Sequence, residues 1–220
     1  MKMLTRSLIA LAAVVSFATP ALAGPPLICH PFETQAGKLI AWGSGPGWNT
    51  PDRSYDITRL VADTDAALAA DAPVLKRMEN MRRATIYAMR DPVIAHQLLK
   101  AVMARALSTT TDGRAWFDAG YLIESYKQAV HLREERQPEL RAWAAVDETL
   151  RADGYNWVKK SMAMSAPLAH RSLGEGVSAE MEFAASLMTD GPTASTHRAK
   201  ALAAAPKGSL VARNIAALAL

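Results

Sequence analysis

The sequence predicts an all-α protein, with about eight helices in antiparallel hairpins forming a helical-repeat-like array or bundle behind an irregular N-terminal arm. Three observations predict it. Beyond residue 55, apolar residues recur at i, i+3, i+4 and i+7 over nearly the whole chain. Asp-Pro, Asp-Gly and Gly-Pro pairs interrupt that pattern at helix-length intervals. Between residues 24 and 54, by contrast, proline and glycine are dense enough to exclude a long helix.

The first 23 residues read as a secretory signal peptide. Lys2 and Arg6 precede an apolar run from Leu8 to Phe17, Pro20 breaks it, and Ala21-Leu22-Ala23 supplies a small-x-small cleavage site. The run is shorter than the roughly 20 residues a bilayer span needs. No paired arginine precedes it, which favours the general secretory route and a periplasmic or extracellular destination. Ile28 before Cys29 does not suit lipoprotein processing. Loss of Lys2 and Arg6 lowers the net charge from +4 to +2, so no strong field favours nucleic acid. No later stretch is apolar for long enough to cross a membrane. A single cysteine excludes an intrachain disulfide, so packing must hold the fold.

Residues 24–54 form the expected arm. Five prolines and five glycines share it with Leu27, Ile28, Phe32, Leu39, Ile40, Trp42 and Trp48, a set too apolar for a disordered tail. The expectation is an extended, docked segment with a tight turn at Gly43-Ser44-Gly45-Pro46-Gly47. Residues 38–42 are long enough for one short strand, but no pairing partner is apparent.

Residues 55–220 are expected to form a single helical domain. Asp56 opens a helix over 57–70. Asp71, with Pro73 in the first turn, caps one over 74–89, and Asp91-Pro92 caps one over 93–107. On the 74–89 helix, Lys76, Arg83 and Arg90 recur every seven residues, the pattern of a charged solvent face. Asp112-Gly113 begins the strongest helix, 114–132. There Ala115, Trp116, Ala119, Leu122, Ile123, Tyr126, Ala129 and Val130 share the core face, while Asp118, Glu124, Ser125 and Lys127 face away. Helices over 139–152 and 155–164 follow. An irregular stretch over 165–177 leads to a helix capped by Ser178, and a last pair spans 193–204 and 209–220. Alanine-rich helices with Gly or Tyr on the packing face, as in Asp118-Ala119-Gly120-Tyr121, are similar to tetratricopeptide-type packing, although that repeat motif is not met at its spacing.

The start Gly24-Pro25-Pro26-Leu27-Ile28-Cys29-His30-Pro31 resembles a family of uncharacterised exported bacterial proteins opening with GPPL-x-CHP. Segments 78–88, 116–129, 181–185 and 210–214 extend the resemblance over most of the chain. It implies export and one continuous domain, and carries no catalytic residue across.

Cys29-His30 is the sharpest candidate for chemistry, as a nucleophile or soft-metal pair. Neighbours on an extended chain point to opposite faces, so the pair needs a third residue from elsewhere. None of His30, His96, His131, His170 and His197 has another histidine at i+4 or a glutamate three residues before it, which removes helical metal motifs. No G-x-S-x-G or phosphate-loop pattern occurs. The expectation is therefore a non-catalytic scaffold without a cofactor, binding a protein or peptide in a groove between helix hairpins and arm. Trp42, Trp48 and Tyr121 are the candidates to line it. The alternative is a metal- or cofactor-binding protein, or an enzyme, using Cys29 and His30.

Overall fold

The computed structural model describes residues 26–109, 111–134, 151–165 and 174–218. All their regular secondary structure is helical, with no strand among them, and residues 30–56 are irregular. The described elements are α1 (Pro26–Cys29), a 3-10 turn (Ile57–Arg59), α2 (Leu60–Ala67), α3 (Val74–Ala88), α4 (Pro92–Leu107), α5 (Gly113–Glu134), α6 (Gly154–Ser165), α7 (Gly174–Leu187), α8 (Gly191–Ala204) and α9 (Leu210–Ala217). The proposed signal, all but the last two residues of the expected helix over 139–152 with its Trp143, and most of the irregular stretch after residue 165 lie outside the described residues.

The centre of the molecule is α3. Thirteen of its fifteen residues are buried, so the expected charged solvent face shrinks to Lys76 and Arg83, both only partly buried, and to Arg90, exposed just beyond the helix. Lys76 and Arg83 instead hold the arm, donating to the carbonyls of Ala36 and Ile40 at 2.7 Å each. The start of α3 differs too. Pro73 occupies the N-cap and has no side-chain acceptor, while Asp71 is exposed in the preceding turn. The capping carboxylate comes from Glu180 on α7, which accepts from the Leu75 amide at 3.2 Å.

Two local caps follow the sequence directly. Asp91 accepts from the amides of Val93 and Ile94, with Pro92 at the first helical position. Asp112 accepts from the amides of Arg114 and Ala115. Helix α7 begins at Gly174, before the expected Ser178 cap, and α8 begins at Gly191 with Pro192 in its first turn.

Helix α5 contacts α3, α4, α6 and α1. Its predicted apolar face is buried, Val130 only in part. Asp118 and Ser125, expected to face away, are buried as well. Neighbours on several sides leave the middle of α5 no solvent face. Ser125 donates back to the Tyr121 carbonyl at 2.9 Å. Asp118 meets Arg77 at 2.6 Å and also pairs with Arg105. Burial raises the Asp118 carboxyl to about 6, against the pull of the two guanidiniums.

Among the described helices, α5 and α6 pack extensively against each other, as do α7 and α8. Gly120 and Gly154 allow the first: a Cβ on Gly120 would lie 2.5 Å from the Gly154 carbonyl oxygen and 3.0 Å from the Trp157 Cβ. Asp153 caps α6, accepting from the Asn156 amide at 2.8 Å.

Candidate functional site

The arm brings Cys29 and His30 against the body. Cys29 ends α1, a single helical turn that the proline-rich composition concealed, and is buried. His30 is half-buried. Its Nε2 is enclosed without a hydrogen-bond partner, and burial, with the nearby Arg82 guanidinium, lowers its pKa below the usual 6.5. A metal bound there would face that fixed cation. Among the described residues, no three His, Cys, Asp or Glu side chains converge as a metal site.

The polar chemistry beside the arm is a clamp. Glu79 accepts from Arg82 Nε and Nη2 at 2.8 and 2.9 Å, from Arg83 Nε at 2.7 Å, and from the Phe32 amide at 3.0 Å. Arg82, fully buried, also donates to the carbonyls of Ile28 and Trp48. Asn80 accepts from the Ile40 amide at 2.9 Å. The Tyr87 hydroxyl donates to the Ala41 carbonyl at 2.8 Å and accepts from the Asp52 amide at 2.9 Å. An irregular chain has no ladder of its own, so side chains of the body, most of them on α3, supply the partners its buried backbone requires. The turn closes when the Gly43 amide donates to the Thr50 carbonyl at 3.0 Å, and Gly47 adopts a φ of 91°.

The aromatics expected to line a groove serve this clamp or the core. Trp42 lies against the guanidiniums of Arg82 and Arg83, at 4.9 and 5.5 Å from its ring centroid, and edge-on to Tyr87. Trp48 is half-buried and gives its carbonyl to Arg82. Tyr121 is wholly buried beside Phe117, so it offers no surface to a partner.

An open pocket lies elsewhere, with a volume of about 470 Å³, between α6 and α8. Tyr155, Lys159 and Met162 line it at i, i+4 and i+7 on α6; Thr193, Thr196, His197 and Lys200 line it from α8, and Glu182 from α7. His197 is buried at its base and makes two hydrogen bonds, Nδ1 to Glu182 at 2.5 Å and Nε2 to the Tyr155 hydroxyl at 2.6 Å. A carboxylate only accepts, so Nδ1 carries a proton. Burial first, then the charges of Glu182 and Asp153, raises the Tyr155 pKa. The phenol therefore keeps its proton, and its hydroxyl and His197 Nε2 share one hydrogen bond.

This relay orients Tyr155 and holds it as a phenol, the poor form for a nucleophile. Lys159 and Lys200 are exposed, and Lys159 lies over the Tyr155 ring at 4.7 Å. Among the described residues, neither lysine has a carboxylate partner. The arrangement is suited to holding a negatively charged ligand in a fixed pose. Motif spacing missed it because its parts come from three helices: Tyr155, Glu182 and His197 never fall within one helical turn. The available signal was a polar stripe on α8, Thr193, His197 and Lys200 at i, i+4 and i+7.

No helix of the described residues is long and apolar enough to cross a membrane. A scan against protein-family models finds no match for the chain, and neither curated proteins nor solved structures match it.

Proposed function

We propose that this chain is an exported, non-catalytic binding protein that takes a peptide segment of a partner protein in the cleft between α6 and α8. The observation that carries this reading is the open pocket of about 470 Å³ with two lysines at its walls that, among the described residues, lack carboxylate partners. Export rests on the signal pattern of residues 1–23 and on the resemblance of the GPPLICHP start to exported proteins. The non-catalytic assignment is supported by how the candidate reactive groups are used. Cys29 is buried and His30 faces Arg82, while Tyr155 is held as a phenol. No described arm residue lines the cleft, which supports an arm that organises the body and a binding surface on the later helices.

The test is affinity capture from a periplasmic extract with the purified chain as bait, alongside its Lys159→Gln/Lys200→Gln variant. A stoichiometric partner that the parent captures and the variant loses is the expected result. A folded bait that captures nothing and turns over a substrate would overturn the proposal. Amino-terminal sequencing of the exported protein should begin at Gly24; a chain retaining residues 1–23 would contradict export with cleavage.

A further inference from the structure

We infer that the α6–α8 pocket recognises a free carboxylate beside a hydrogen-bond donor, the chemistry of a peptide C-terminus. This deepens the proposed peptide-binding function and rests on it.

The groups of the pocket divide into those already engaged and those available. Glu182, the one carboxylate in the lining, already accepts from His197 Nδ1. Its negative charge is directed at the imidazole rather than left open at the wall. Lys159 and Lys200 are available, one from each side of the cleft, and are the only fixed cations among the described lining residues. With two lysines against one carboxylate, the fixed charges of the lining are net positive, and a ligand anion restores the balance.

The second half of the recognition comes from Tyr155. Its hydroxyl is hydrogen-bonded to His197 Nε2, and in either direction of that bond the phenolic oxygen keeps a lone pair that can accept from a ligand. An amide N–H one residue from a carboxylate satisfies that acceptor; an inorganic anion without a proton to donate does not. Thr196 donates its hydroxyl to the Pro192 carbonyl at 2.8 Å, so its oxygen likewise offers lone pairs. Met162 and the Tyr155 ring supply apolar wall for the terminal side chain. Two cations, fixed acceptors and an apolar wall together match a C-terminal residue better than a bare ion. A free acylated amino acid carries the same chemistry, so the experiment separates the two sources.

Native mass spectrometry and calorimetry would use the full chain with four probes. These are a pool of N-acetylated random tetrapeptide acids, the same pool as C-terminal carboxamides, N-acetylalanine, and inorganic phosphate. The inference expects selected acids to bind at least tenfold more tightly than their amides, and more tightly than N-acetylalanine or phosphate. Lys159→Gln/Lys200→Gln should reduce acid affinity to the amide level with unchanged circular dichroism, since both lysines are exposed. Tyr155→Phe, which keeps the ring, should weaken acid binding by several-fold through loss of the acceptor. Equal binding of acids and amides would overturn carboxylate recognition and leave the peptide-binding function standing. Binding by neither pool would overturn both. Phosphate bound as tightly as the best acid would assign the site to inorganic anions. N-acetylalanine bound as tightly as the best acid would assign it to free small acids. Either result would overturn the inference.

Discussion

Glu79 is a hub of the clamp that holds the arm. Both its oxygens are used, on two guanidiniums and one backbone amide, inside the protein. A buried ion pair contributes little net stability when complete, because desolvation offsets the attraction. Removing one partner is different, since it leaves Arg82 charged, wholly buried and without its counter-ion. Glu79→Ala should therefore cost about 3–5 kcal/mol in chemical unfolding; a loss below about 1 kcal/mol would contradict the clamp. Composition cannot expose this. A stripe of Glu and Arg at helical spacing reads as a solvated face, and only the arm's path makes it interior.

His30 gives a second prediction at the same scale. Its pKa in the folded chain is lowered, so the unfolded chain binds the proton more readily. Stability from neutral His30 is present above the usual value of 6.5 and is lost as pH falls through that value towards the lower folded one. His30→Gln removes that titration. Measured by urea unfolding, the stability of the parent relative to His30→Gln should decline from pH 7 to pH 5. A difference independent of pH would contradict the assignment.

At the scale of elements, local signals read well and distant ones did not. The caps at Asp91 and Asp112 lie next to the helices they open, so a few residues of sequence reveal them. The cap of α3 arrives from Glu180, 105 residues away, and Pro73 gives no hint of it. The apolar face of α5 was legible from its period. The burial of Asp118 was not, because its partners lie on α3 and α4. Gly120 was legible as a packing position, and the structure gives the reason in its approach to Gly154. Since a backbone oxygen cannot swing aside as a side chain would, Gly120→Ala must push α5 and α6 apart. The expected cost is about 1–3 kcal/mol, read as a lower melting temperature. An unchanged melting temperature would mean that the helices do not pack this closely.

For the whole molecule, the arm joins parts of the chain that helix packing alone would leave separate. The Leu27 amide donates to Gln128 on α5 at 2.8 Å. Phe32 meets Phe183 of α7 edge-on, with centroids 6.0 Å apart. Glu33 pairs with Arg213 on α9, and its amide donates to the Asn214 side chain at 2.8 Å. With the clamp on α3, these contacts tie the first described residues to the last helix. That the arm docks could be read from Leu27, Ile28, Phe32 and Ile40, all buried in the structure. How it docks required the fold, because its hydrogen-bond partners are side chains spread over α3, α5 and α9. The α6–α8 pocket was hidden for the same reason.

Four large apolar side chains of the arm together contribute on the order of 6–12 kcal/mol by burial. That is comparable with the whole stability of an ordinary domain, about 5–15 kcal/mol. The decisive measurement is thermal unfolding, followed by circular dichroism, of the chain beginning at Gly24 and of a variant lacking residues 24–48. The arm as an integral core element predicts that the shortened chain loses its cooperative transition or melts far below the parent. A shortened chain with the parent's melting temperature would contradict it.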